Sequence, residues 1–157
     1  MTPPAVIASD AMDDVTCVTV EVAGQAFGVP ITHVRDVFVI ETLTRVPLAR
    51  PEIAGLLNLR GRVVTAIDLR TRFGLPALDP IGRKAVGVDL DRESFGLIVD
   101  QVGDVRRFEA DALESVPVNL DRRWAALATG VTRIDGGILV FLDVDAVLDL
   151  SPTRQAA

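Results

Sequence analysis

The sequence predicts a mainly all-β protein, with short helices, built as two small five-stranded barrels packed on one another. Three observations carry that expectation. Of 157 residues, 23 are Val and 9 are Ile, side chains that favour strands. Short β-branched runs alternate with turn residues along the chain. The chain also resembles itself at shifts of 68 and 75 residues. Apolar residues make up 49% and charged residues 24%, which excludes disorder for most of the length. The length allows one domain or two very small ones.

The elements follow in order. Residues 1–14 contain Pro, Ala and Asp without periodicity and are expected to form a flexible N-terminal tail; 151–157 are expected to form a C-terminal one. Thr16, Val18, Val20 and Val22 have strand spacing, and Ala23-Gly24-Gln25 predicts a turn before the strand Ala26-Phe27-Gly28-Val29. Val63-Val64-Thr65-Ala66-Ile67 predicts a buried strand. Asp68 to Phe73 predicts one helical turn, capped by Asp68 and stopped by Gly74 and Pro76. Asp143-x-Asp145 predicts the cap of a last helix over Val144–Leu150.

A shift of 68 lays Val18, Val20, Phe27, Gly28, Val34, Asp36 and Val37 on Val86, Val88, Phe95, Gly96, Val102, Asp104 and Val105 without a gap. A shift of 75 lays Gly55, Gly61, Asp68 and Leu69-to-Phe73 on Gly130, Gly136, Asp143 and Val144-to-Leu148. The difference of seven predicts an insertion around Leu120–Leu127. Each half is then a hairpin, a third strand, and a second hairpin ending in a short helix. Closure into barrels would remove exposed edges, and two barrels this small need a shared apolar seam. The first barrel is expected at about 15–75 and the second at about 83–150.

The scarce residues limit the chemistry. There are one His, one Cys, one Trp, four Ser and no Tyr. Nucleophilic, acid–base and zinc chemistry draw on those types. No Gly-x-Ser-x-Gly, His-Glu-x-x-His, Cys-x-x-Cys or phosphate loop occurs, so no enzyme, metal or cofactor is expected. His33 is expected in a turn and Cys17 as a small core or edge residue. Asp89-x-Asp91-x-Glu93 opens like a calcium loop but has Ser94 at the glycine position and no glutamate at position twelve, so a polar hairpin turn is expected. A net charge of −6 argues against nucleic acid. The start lacks a basic leader region, no apolar run approaches a membrane span, and a single cysteine suits a reducing, cytoplasmic compartment.

Asn58-Leu59-Arg60-Gly61-Arg62 is the most unusual segment. Its duplicate, Thr132 to Gly136, keeps the turn glycine but does not carry Asn and Arg at the places of Asn58 and Arg60. A hairpin needs only the glycine, so Asn58 and Arg60 exceed the local requirement. Arginine suits recognition of carboxylates or carbonyls on a partner, while composition alone favours a solvated hairpin arginine.

The stretch Gly55-Leu-Leu-Asn-Leu-Arg-Gly-Arg-Val-Val-Thr-Ala-Ile-Asp-Leu-Arg-Thr-Arg-Phe-Gly74 resembles the signature of CheW-like domains, with Asn-Leu-Arg-Gly its most specific block. The resemblance extends from Phe27-Gly-Val-Pro-Ile31 and Val34-x-Asp-Val37, through Gly96-Leu-Ile-Val-Asp100, to Ile138-Leu-Val-Phe-Leu-Asp143, about Val15 to Leu150 in all. It implies two packed SH3-like barrels. It also implies a cytoplasmic, non-catalytic adaptor, recruited to membrane-associated arrays, that couples chemoreceptors to the histidine kinase CheA. No phosphotransfer, ATP-binding or receiver domain would fit in this length. Departures are Thr65-Ala66 where the family often has Pro-Val, and Asp36 where Glu is common.

The resemblance implies a receptor-tip contact at Val34, Asp36, Gly55, Leu57, Asn58 and Arg60. Val34 and Leu57 would be apolar anchors, Asn58 and Arg60 rim donors, and Gly55 a point of close backbone approach. The kinase contact, with the regulatory domain of CheA, is expected around Val86, Val88 and Leu97. Like barrels pairing head to tail, including other CheW-like proteins, would build rings. The second class of function is a scaffold in a receptor–kinase pathway for pili or development. A ligand-binding or enzymatic barrel is opposed by the missing side chains.

Overall fold

Two-residue turns with left-handed backbone set the hairpins. In the computed structural model, which describes residues 14–150, Ala23-Gly24 has φ of 52° and 81°, Arg60-Gly61 55° and 83°, and Asp91-Arg92 51° and 69°. Paired positive φ values match the right-handed twist of the flanking strands. The first hairpin is β1 (Val15–Val22) and β2 (Gln25–Pro30), with Gln25 already opposite Val22. Strand β3 (Val34–Val39) follows, then the hairpin β4 (Ile53–Leu59) and β5 (Arg62–Asp68).

Helix α1 (Leu69–Arg72) begins where Asp68 accepts a hydrogen bond from the Arg70 N–H at 2.9 Å, and ends before Gly74 at φ 81°. The second half repeats the plan as β6 (Lys84–Leu90), β7 (Glu93–Val99), β8 (Gln101–Phe108), β9 (Ala128–Ile134) and β10 (Gly137–Leu142). The expected insertion holds α2 (Arg122–Ala125). The last helix, α3 (Val144–Val147), is capped by Asp143 as expected but stops short of the predicted Leu150, with Leu148 already at its C-cap. The two predicted tails, except Asp14, lie outside the described residues.

The strands form two five-stranded sheets, ordered β8-β1-β2-β10-β9 and β3-β6-β7-β5-β4. Each sheet therefore takes strands from both halves. The boundaries 15–75 and 83–150 mark the repeat and not the sheets, which is a correction to the expected division. The halves exchange their opening hairpins reciprocally, and the registers show it. Phe27 lies opposite Val140 in the parallel β2–β10 pair, as Phe95 lies opposite Thr65 in the parallel β7–β5 pair. The linkers explain the exchange: three residues join β2 to β3, and Asp100 alone joins β7 to β8. Links this short carry the chain onward into the other sheet, as at the corners of orthogonally packed sheets.

One large apolar cluster fills the seam between the sheets. It includes Val20, Phe27, Val29 and Val140 from one sheet and Ile67, Val86, Leu97 and Val99 from the other. Phe27 stacks on Phe73 at 4.8 Å between ring centroids, and Trp124 of α2 meets Phe27 edge-on at 5.7 Å. Two smaller clusters occupy the remaining faces: Cys17, Phe108, Leu139 and Phe141 in one sheet, Ile40, Ala66, Ala85 and Ile98 in the other. Cys17 and Ala85 are duplicates at the shift of 68, so the small cores repeat with the sequence. No helix among the described residues is long and apolar enough to cross a membrane.

Candidate functional site

The six residues expected at the receptor contact lie on β3 and the β4–β5 hairpin, and the fold treats them differently. Arg60 sits at the hairpin tip with φ 55°, exposed, and with no hydrogen bond or ion pair to the described residues. Asn58 is also exposed, but its Oδ1 accepts from the Gly61 N–H at 2.8 Å. Its side chain thus closes the turn that aims Arg60, which the turn glycine alone did not predict.

Gly55 is buried, and a Cβ there would come within 2.7 Å of the Thr44 carbonyl oxygen. Thr44 and Leu56 exchange backbone hydrogen bonds at 2.8 Å. The close approach expected of a partner at Gly55 is therefore made by the chain itself. Leu57 is half-buried against the small Ile40–Ile98 cluster, and Val34 is half-buried against the large one. These two serve different cores and leave only part of each side chain open.

Asp36 is joined to the hairpin by an ion pair. Arg62 Nη2 donates to Asp36 Oδ2 at 3.5 Å across the intervening strands, with both side chains about one-fifth to one-quarter exposed (24% and 22%). Asp36, Arg62 and the Asn58–Gly61 turn thus form one connected surface, flanked by Val63 at 62% exposure. Arg62 is the residue that sequence reasoning passed over. The signal was present, because its duplicate at the shift of 75 is Gly137 and no hairpin requires an arginine there.

The expected kinase contact does not survive folding. Val86, Val88 and Leu97 are 0%, 1% and 0% exposed, sealed in the seam between the sheets, and cannot meet a partner. Alternation around the β6–β7 hairpin places the apolar members inward on both flanking faces.

Several other polar groups are structural. Asp100 accepts from Arg70 Nε at 3.0 Å, Arg70 Nη2 at 2.8 Å, the Ala23 N–H at 2.8 Å, and Arg83 Nη2. Burial opposes its charge, but these donors outweigh burial and hold the carboxyl below the ordinary range. Asp68 shows the reverse balance: burial raises its pKa despite the capping hydrogen bonds. Arg72 donates to the Val147 and Ala146 carbonyls, both at 2.9 Å, covering the C-terminal end of α3. Asp89 pairs with Arg35 and accepts from Ser94, the ordinary chemistry of a polar hairpin. Among the described residues no three of His, Cys, Asp and Glu are grouped to hold a metal ion.

Comparison with known proteins agrees with this architecture. The chain is 30% identical over 137 residues to the chemotaxis protein CheW of Rhizobium meliloti strain 1021, covering 87% of this chain and 88% of that protein. It is 29% identical over 136 residues to the chemotaxis protein CheW of Bacillus subtilis strain 168, covering 86% and 87%. The fold matches the crystal structure of the scaffolding protein TtCheW from Thermoanaerobacter tengcongensis, with a TM-score of 0.76 at 24% identity over 87% of this chain and 94% of that one. The CheW-like domain model matches residues 16–151, nearly the whole described fold, and the chain belongs to the CheW-like family.

Proposed function

We propose that this chain is a non-catalytic chemotaxis adaptor that couples the cytoplasmic tip of chemoreceptors to the histidine kinase CheA. The observation that carries the reading is Arg60: an arginine at the tip of a turn closed by Asn58, exposed, and unpaired among the described residues. Five free donors on that side chain suit carboxylates or carbonyls on a docked helix. Leu57 and Val63 supply apolar surface on the same hairpin, and Asp36 with Arg62 supplies the polar border. Relatives matched over most of their own length are named chemotaxis protein CheW, which supports the same role.

The adaptor works in the cytoplasm at receptor arrays and holds receptor and kinase in one geometry, so that a change in the receptor alters the kinase. Gly55 is left out of the contact, because Thr44 covers it. The kinase meets surface other than Val86, Val88 and Leu97.

The test is titration of the full chain with a receptor-tip fragment. Arg60→Ala should weaken binding about tenfold, with an unchanged circular dichroism spectrum. Equal binding by the two proteins would overturn the assignment of this surface.

A further inference from the structure

Gly87 of β6 has no side chain, and Asp36 occupies the room that one would need. The two residues are opposite each other in the β3–β6 ladder, and a Cβ on Gly87 would lie 2.0 Å from Asp36 Oδ1. No side chain at position 87 is compatible with that carboxylate position. Arg62 completes the hold from the other side. The packing is tight enough that Asp36 Oδ1 and Arg62 Nε are both buried without a hydrogen-bond partner. The exposed fifth of the Asp36 side chain therefore excludes Oδ1.

The duplicated half supplies an internal comparison. The shift of 68 lays Asp36 on Asp104 and Thr19 on Gly87, and the shift of 75 lays Arg62 on Gly137. With threonine in place of glycine and glycine in place of arginine, Asp104 is exposed. Thr19 Oγ1 donates to the Asp104 backbone carbonyl at 2.8 Å. The same strand position thus carries a withdrawn acid in one half and a projected acid in the other. The two residues that touch Asp36 are among those that differ.

We propose that Gly87 and Arg62 are positioning residues that keep the Asp36 carboxylate recessed and charge-compensated, so that residue 87 sets which partner face β3 accepts. The proposal rests on the reading of β3 as part of the receptor contact. A projected, unpaired carboxylate would draw a lysine or arginine on the partner. A recessed one gives a cation nothing to pair with and leaves β3 suited to an uncharged stretch of helix.

The test uses the full chain, a receptor-tip fragment, and the variants Gly87→Ala, Asp36→Asn and both together, titrated at low and high salt. The atom that would clash is the end of a side chain, so Gly87→Ala should fold and turn the carboxylate outward. Binding should weaken about tenfold in Gly87→Ala at low and high salt alike, because a projected charge is desolvated against an uncharged face, while the double variant binds like Asp36→Asn. An equal loss with and without the acid would make Gly87 merely structural and overturn the proposal. Crystal structures of wild type and Gly87→Ala decide the matter even if Arg60→Ala shows the receptor surface to be elsewhere. Asp36 released from Arg62 in the variant supports the proposal, and Asp36 still against Arg62 overturns it.

Discussion

Arg70 grips Asp100 through two parallel hydrogen bonds, Nε to Oδ1 at 3.0 Å and Nη2 to Oδ2 at 2.8 Å. Arg70 stands on α1, at the end of the first repeat, and Asp100 is the single residue between β7 and β8. Because Asp100 also accepts from the Ala23 N–H at the β1–β2 turn, one carboxylate fastens both sheets at the corner where the chain crosses between them. Bidentate arginine–carboxylate geometry is among the stronger polar contacts a protein makes.

Replacing Asp100 with Ala should cost about 2 kcal/mol in urea unfolding at neutral pH, since charged hydrogen bonds are lost and Arg70 and Arg83 are left without their partner. Asp100→Asn gives the pH dependence. The folded carboxyl titrates below its ordinary value of 3.8, so the unfolded chain binds more protons in that range. The stabilising charge is fully present above pH about 4 and is lost as pH falls through the folded pKa. The gap between wild type and Asp100→Asn should therefore be widest at neutral pH and narrow in acid. A gap that stays constant down to pH about 2 would mean that Asp100 gains nothing from its charge.

Trp124 is the chain's single tryptophan, and its ring packs edge-on against Phe27 and Phe73 at 5.7 and 6.3 Å. Trp124→Ala should destabilise by about 2 kcal/mol, less than a fully buried aromatic because the residue is half-buried. In the native protein its fluorescence should be blue-shifted and should move to the red in step with loss of β-sheet circular dichroism. Loss of the Trp124 signal at much lower urea would show that α2 undocks by itself.

Cys17 lies in the small cluster with Phe108, Leu139 and Phe141, and burial pushes its thiol up to about 11 despite the nearby Arg106. Only the thiolate attacks disulfide reagents, so native labelling at pH 8 should be slow and labelling in urea fast. Native labelling as fast as that of a free cysteine peptide would show that this sheet opens readily.

Much of the local structure was legible in the sequence. Asp68 and Asp143 cap their helices because a short acid before an apolar turn can meet the orphan N–H groups wherever the helix packs. The strand boundaries in the two halves follow the 68 and 75 shifts, and the insertion became α2. The contact surface was legible only in part. Arg60 could be picked out as an arginine no turn requires, yet Asn58 proved to close the turn and Gly55 to receive Thr44. Val86, Val88 and Leu97 failed as surface residues because strand alternation gives two faces without saying which faces water; here both neighbouring faces are packed.

By itself the sequence determined a β-rich duplicated chain with no catalytic constellation, its turns, its caps and its resemblance to one family. Those properties are local or are carried by residue identity. Only the tertiary structure decided which hairpin joins which sheet. Phe27 and Phe95 occupy equivalent places, so side-chain pattern cannot distinguish pairing within a half from exchange between halves. The short links at Ile31–His33 and Asp100 resolve it by geometry. The same crossing brings Asp36 over Gly87 and against Arg62, residues 51 and 26 positions away along the chain. An acid's exposure depends on what the fold places beneath it, and in this protein that is a glycine contributed by the other half.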